Sequence, residues 1–182
     1  MSKKIALLVG SESKNSVSQK IADYLIANAP QSLQLFKVSI AKLPLYDRDF
    51  DELAEQPTEY ERFRDELKNA VSFIWISPEH NAAPTAAIKN AIDIASRPWG
   101  AGIWTGKAVG IISSAASRLG GAIAADQLRT IASLLEMPVL PFNANISESH
   151  LILNEEGKIS HPSVIRLLDK FLLKYEEFVA KF

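Results

Sequence analysis

Three short polar segments hold most of the residue types that could do chemistry in this chain. They are Gly10-Ser11-Glu12-Ser13-Lys14-Asn15-Ser16, Ser77-Pro78-Glu79-His80-Asn81-Ala82-Ala83-Pro84, and Ser113-Ser114-Ala115-Ala116-Ser117-Arg118-Leu119-Gly120-Gly121. Each directly follows an apolar run. The first joins a buried strand to a helix start, where free backbone amides and a partial positive charge suit a phosphate. The hydroxyls of Ser11, Ser13 and Ser16 and the ammonium of Lys14 add donors and a counter-charge. Gly10 is the only glycine of the segment, so neither a Walker motif nor Gly-x-Gly-x-x-Gly is present. That pattern favours one terminal phosphate over a triphosphate or a Rossmann-bound dinucleotide; a plain polar loop with a serine cap is the competing reading. The second segment is polar and proline-bounded at the end of a buried strand, where open α/β sheets hold ligands. In the third, small residues and the Gly120-Gly121 pair let backbone approach a flat ligand closely.

Other chemistries fail on inventory. The chain has no cysteine, which removes thiolate catalysis, disulfides, cysteine-ligated zinc and iron–sulfur clusters. His80, His150 and His161 lack metal-ligand spacing, and neither His-Glu-x-x-His nor a Gly-x-Ser-x-Gly elbow occurs. The alternating aspartates of Leu43-Pro44-Leu45-Tyr46-Asp47-Arg48-Asp49-Phe50-Asp51 invite a calcium reading. An EF-hand loop, however, needs Gly sixth and Glu twelfth, where this chain has Glu52 and Thr58. A response-regulator receiver needs an acidic pair after its first strand, where Gly10-Ser11 stands. We expect no metal site and no catalytic side chain, so redox chemistry must come from a bound organic cofactor.

The elements that must position these segments follow from periodicity. The 182 residues fit a single domain, 1–182, with 47% apolar and 23% charged residues. A net charge of −1 gives no basic excess for nucleic acid. The amino terminus is too short in apolar residues for a signal peptide, and no run approaches the ~18 residues of a membrane span; a cytoplasmic protein is expected. Strands are predicted at Ile5–Val9, Leu33–Ile40, Val71–Ser77, Lys107–Ser114 and Val139–Leu140, and helices at 16–29, 57–70, 85–96, 121–135 and 162–182. Asp93 is expected to pair with Arg97 at helical spacing, Asn90 to brace local backbone, and 44–57 to form an irregular surface loop. Trp99 and Trp104 flank a glycine-containing loop and fit either core packing or the cover of a ligand or interface. Strands alternating with helices give a doubly wound five-stranded parallel sheet, order 2-1-3-4-5, with the three polar segments on one edge.

On these residues the chain resembles the NADPH-dependent FMN reductases, flavodoxin-like quinone, azo and chromate reductases. Gly10, Ser11 and Ser16 match the family's Gly-Ser-x-Arg-x-x-Ser, with Ser13 in place of the arginine and Lys14 as a substitute charge. Pro78, Glu79, Asn81, Lys89, Asn90, Ala91 and Asp93 match Pro-Glu-Tyr-Asn…Leu-Lys-Asn-Ala, with His80 for tyrosine and Ala82-Ala83 for Gly-Ser. Gly106-Lys107-Ala108-Val109, Ser113, Gly120 and Gly121 match the third motif. The resemblance implies bound FMN held by Gly10, Ser11, Ser13, Lys14, Ser16, Pro78, Glu79, His80, Asn81, Ser113, Ser117, Arg118 and Gly120. Backbone of Pro78–Asn81 would line the ring, and amides of Pro78–Asn81 and Ala115–Arg118 would tune its reduced anion; Arg118 reads either as a draw for the phosphates of NADPH or as a solvated loop arginine. It further implies hydride transfer from NADPH or NADH through FMN to a quinone, azo compound, metal oxyanion or free flavin, in a homodimer or homotetramer, with the Leu43–Asp51 stretch contacting across a dimer. An FMN-binding electron carrier or redox sensor is the alternative, and a flavin-free relative a third.

Overall fold

The computed structural model describes residues 2–52 and 56–182. Six strands and six α-helices alternate: β1 (Lys3–Val9), α1 (Val17–Ala27), β2 (Leu33–Val38), α2 (Asp49–Glu52), α3 (Thr58–Lys68), β3 (Ser72–His80), β4 (Ala83–Pro84), α4 (Ala86–Ala95), β5 (Ala108–Ser114), α5 (Ala122–Leu134), β6 (Ala144–Ile146) and α6 (Pro162–Val179). The parallel sheet runs β2-β1-β3-β5-β6, and β4 folds back antiparallel on the end of β3. Leaving out that short return strand, this is the 2-1-3-4-5 order of a flavodoxin-like doubly wound sheet.

Period-2 alternation explains why both faces are covered. From β1, Ile5, Leu7 and Val9 face one core with α1 and α6, while Ala6 and Leu8 face the other with α3, α4 and α5. β3 splits likewise, Ile74 and Ile76 against Phe73 and Trp75. Strands buried on both faces read as unbroken apolar runs, which is why they stand out in the sequence. On the second face Trp104 is buried, packs edge-on against Phe73 and Trp75, and donates its indole N–H to Ile92 O at 2.9 Å. Trp99 lies 88% exposed under the guanidinium of Arg97.

Four expectations are corrected. The last strand is not Val139–Leu140. Val139 makes only a single bridge to Val109, and the paired strand is β6, seven residues after the Met137-Pro138 turn region; Pro138 and Pro141 bracket that stretch and Pro donates nothing to a ladder. β3 runs on to His80 because its end pairs with β4. Asp93 pairs with Lys89, one turn back, at 2.7 Å and not with Arg97, which reaches Asp51 at 3.6 Å. The 44–57 stretch carries the single turn α2; its residues 53–55 lie outside the described residues.

Gly110 on β5 sits directly beneath the rings of Phe171 and Tyr175 of α6. A Cβ there would lie 2.7 Å from Phe171 Cζ and 2.9 Å from Tyr175 Cδ2. Gly110→Ala is therefore expected to lower unfolding free energy by about 1–3 kcal/mol through overpacking, read as a lower midpoint in chemical denaturation.

Candidate functional site

Strand register brings the three polar segments together. Val9 pairs with Ile76, Ile76 with Ile112, and Ile112 with Ala144. The next row is therefore Gly10, Ser77, Ser113 and Asn145, with Ser77 paired to Ser113 and Ser113 to Asn145. The first segment leaves the sheet at this row, and the other two continue past it, Pro78 pairing with Ser114 and Ser114 with Ile146, at the carboxyl edge of the parallel strands.

In the first loop the backbone is held from behind. Gly10 N–H donates to Ile76 O at 2.7 Å, and Thr85 Oγ1 donates to Gly10 O at 2.6 Å. Gln19 Nε2 donates to Ser11 O at 3.0 Å, and Ser16 N–H to Ser13 O at 3.1 Å. The amides of Ser11, Glu12 and Lys14 have no acceptor among the described residues. Ser16 is buried and caps α1, its Oγ accepting from Gln19 N–H at 3.2 Å; accepting leaves its own O–H free to donate. Ser13 and Lys14 are exposed, Ser11 half-buried. Gly10 is required for this closeness, since a Cβ would meet Thr85 Oγ1 at 2.7 Å.

The second loop is a tight hairpin. His80 pairs with Ala83, and the two residues between them, Asn81 and Ala82, have φ of 52° and 56°. Two successive positive φ values mark a type I′ turn, which Asn accepts readily and Ala does not. His80, Asn81 and Ala82 are exposed at the tip; Pro78 and Glu79 are half-buried at the base. The Glu79 carboxylate accepts from Ala124 N–H at 3.0 Å. Helix α5 starts at Gly121, which has no side chain to cap it, so a residue from the neighbouring loop supplies the cap and a negative charge at the helix's positive end. Gln127 Nε2 donates to Ala82 O at 2.7 Å and clamps the far side of the same hairpin.

The third loop is closed by Ser113. This hydroxyl is fully buried and directed at Gly120 O (2.9 Å) and Asn145 Oδ1 (3.0 Å), so its proton is committed inside the protein. Gly120 has φ of 60°, and a Cβ there would lie 2.8 Å from Ser147 N; only glycine fits. Ala115 N–H is taken by Ile146 O at 3.1 Å, and Ser117 O accepts from Gly120 and Glu148 N–H. The amides left without an acceptor among the described residues thus begin at Ala116, one residue later than expected, and continue through Ser117 and Arg118. Ser117 and Arg118 are exposed.

Sequence reasoning missed the supporting side chains Gln19, Thr85, Gln127 and Asn145. Thr85 was legible as a helix cap; the others carry no local signal, because Gln19 and Gln127 act on the backbone of other segments and Asn145 on the Ser113 hydroxyl. Asn90 braces the 44–46 backbone, accepting from Tyr46 N–H at 2.7 Å and donating to Pro44 O at 3.0 Å. That anchors the aspartate-rich stretch, where Tyr46 Oη donates to Asp51 Oδ2 at 2.6 Å. The same carboxylate neighbours Arg97 and Arg64.

A cavity of about 430 Å³ lies elsewhere, between α1 and the 153–159 turn, lined by Lys20, Asp23, Tyr24 and Lys158 among others. Asp23 there pairs with Lys37 and Lys158 with Glu156, and the cavity abuts the carboxyl half of α1, the end of a helix that disfavours anions. The rim presents amides without an acceptor among the described residues at two loops, the first at the start of α1, the donor set an anionic group calls for.

Residues 3–150 match the family model described as NADPH-dependent FMN reductase. A quinone reductase of Pseudomonas putida is 36% identical over 92% of this chain and 91% of its own length. A 2-hydroxy-1,4-benzoquinone reductase of Burkholderia sp. is 31% identical over 98% and 97%. Among solved structures, FerB of Paracoccus denitrificans, a flavoenzyme NAD(P)H:(acceptor) oxidoreductase, superposes with a TM-score of 0.87 at 27% identity, covering 98% of each chain.

Ala82 holds a left-handed conformation that costs an L-residue about 1–2 kcal/mol. Ala82→Gly is expected to raise unfolding free energy by about 0.5–1 kcal/mol after the entropy of the added glycine is counted; an unchanged or lower denaturation midpoint would show that the hairpin does not strain this residue.

Proposed function

We infer the activity from a firm premise: this chain belongs to the NADPH-dependent FMN reductase family. It is an oxidoreductase using FMN with NAD(P)H as co-substrate. FMN, when bound, would supply the redox chemistry between nicotinamide and acceptor. The observation that carries the reading is the row Gly10, Ser77, Ser113, from which three loops leave at one edge of the sheet.

The residues of the chain then divide the work. Amides of Ser11, Glu12 and Lys14, the start of α1 and the hydroxyls of Ser11, Ser13 and Ser16 hold the phosphate. Backbone of Pro78–Asn81 and Ala116–Arg118 lines the ring, and Gly120 keeps the third loop low enough to admit it. His80 flanks the ring from the hairpin tip, and exposed Arg118 draws the phosphates of the nicotinamide cofactor by charge. Glu79 and Ser113 stand behind these contacts and fix the loops. No side chain need act as acid or base, since the cofactor carries the chemistry. Quinones are the favoured acceptor class, as the names of the P. putida and Burkholderia relatives indicate.

A cytoplasmic homodimer or homotetramer completes the reading. Large apolar side chains left in solvent, Leu45 at 80% and Trp99 at 88% exposure, support self-association near the aspartate-rich stretch. No helix among the described residues is long and apolar enough to cross a membrane.

The test is anaerobic titration of the flavin-loaded protein with NADPH, followed by a benzoquinone. Rapid loss of the visible flavin absorbance and its return on adding quinone are expected. Reduction by dithionite but only slowly by NADPH would make the protein an electron carrier, and failure to take up added FMN would end the flavin reading. Ser11→Asp places a carboxylate beside the phosphate and is expected to lower bound flavin roughly tenfold or more.

A further inference from the structure

Resting on the FMN reading above, we propose that Gln19 and Thr85 are positioning residues for the cofactor phosphate: by seizing the carbonyls of Ser11 and Gly10 they turn backbone amides of the first loop toward the ligand, replacing a side-chain cation. The peptide unit is planar and trans, so a carbonyl held on one side sends the following N–H to the other. Thr85 Oγ1 on Gly10 O, at 2.6 Å, sets the direction of the Ser11 amide. Gln19 Nε2 on Ser11 O, at 3.0 Å, sets that of the Glu12 amide. Ser16 N–H on Ser13 O does the same for Lys14. Successive amides turned outward make an anion-binding concavity.

The orientation of Gln19 is itself dictated. Lys37 Nζ donates to Gln19 Oε1 at 3.0 Å, and an ammonium can only donate. Gln19 must therefore present its oxygen to Lys37 and its N–H₂ to Ser11 O. Lys37 is in turn held by Asp23 at 2.6 Å. Thr85 is equally constrained, because its single proton must go to the Gly10 carbonyl while its oxygen accepts from Ile88 N–H. Against this frame stands the weakness of the side-chain alternative: Ser13 carries no charge, Lys14 is exposed with no hydrogen-bond or ion-pair partner among the described residues, and Glu12 two residues before it is acidic. Amide and ammonium bonds to a phosphate are both charge-assisted, but the amides are held in place before the ligand arrives.

The experiment measures binding of FMN and of riboflavin, which lacks the phosphate, to the full-length flavin-free protein by fluorescence quenching, alongside thermal unfolding. Wild type is expected to bind FMN well above riboflavin. Gln19→Leu should lose about tenfold in FMN affinity while riboflavin affinity and the unfolding midpoint stay at wild-type values. Thr85→Val should lose FMN affinity similarly, and Thr85→Ser, which keeps the hydroxyl, should restore it. Lys14→Ala should cost less than Gln19→Leu. Wild-type FMN affinity in Gln19→Leu, or equal losses for both flavins, would overturn the positioning role and leave the flavin site standing. A wild-type protein that binds neither flavin would overturn the site reading itself.

Discussion

Register across the sheet is the constraint on which the rest depends. Because β1, β3 and β5 run parallel and are paired so that Val9, Ile76 and Ile112 stand level, their three exits share one edge. A slip by one residue would turn every core side chain to the opposite face, exchanging the set Ile5, Leu7 and Val9 for Ala6 and Leu8. The two apolar cores therefore lock the register, and the register places the loops. The row beyond the core is made of small residues, Gly10, Ser77 and Ser113. Small size lets Thr85 reach the Gly10 carbonyl and lets the Gly120 turn fold down onto Ser113.

From that edge outward, side chains hold the backbone of the loops. Gln19 and Thr85 hold the first loop, Glu79 and Gln127 tie the hairpin to α5, and Ser113 with Asn145 closes the third turn. Glu79 links two loops at once, since its carboxylate caps the helix that leaves the third loop while its own backbone forms the base of the second. An active site with few titratable groups is the expected consequence where a cofactor carries the reaction and the protein supplies position and electrostatics. In the proposed reading, backbone amides do at the first loop, where Ser13 stands, what a side-chain cation would otherwise do.

The strands and long helices were legible in the sequence because both sheet faces are covered, so each strand reads as an apolar run and each helix as an amphipathic repeat. Where that rule weakened, so did the reading. β6 is three residues long and edge-placed, and its pattern is weaker than that of Val139-Leu140, which touches the sheet at one bridge only. The three loops were visible from composition, and their assembly from the topology. What each side chain does within them was not. Ser113 and Glu79 have the right types for ligand contact, and each also bonds a tertiary neighbour 7 to 45 residues away, which the sequence does not show. The pairing of Asp93 with Lys89 instead of Arg97 is the same lesson at short range: both spacings allow an ion pair, and the carboxylate of Asp51 drew Arg97 away.

The central claim is that a phosphate-bearing ring binds across these three loops and nowhere else on the molecule. Backbone amide NMR shifts during titration of the flavin-free protein with FMN test it most directly. The account predicts that the largest changes fall on Ser11 to Ser18, on Glu79 to Ala82 and on Ala116 to Gly120. Changes clustered instead around Lys20, Tyr24, Gly157 and Lys158, the lining of the separate cavity beside α1, would contradict it.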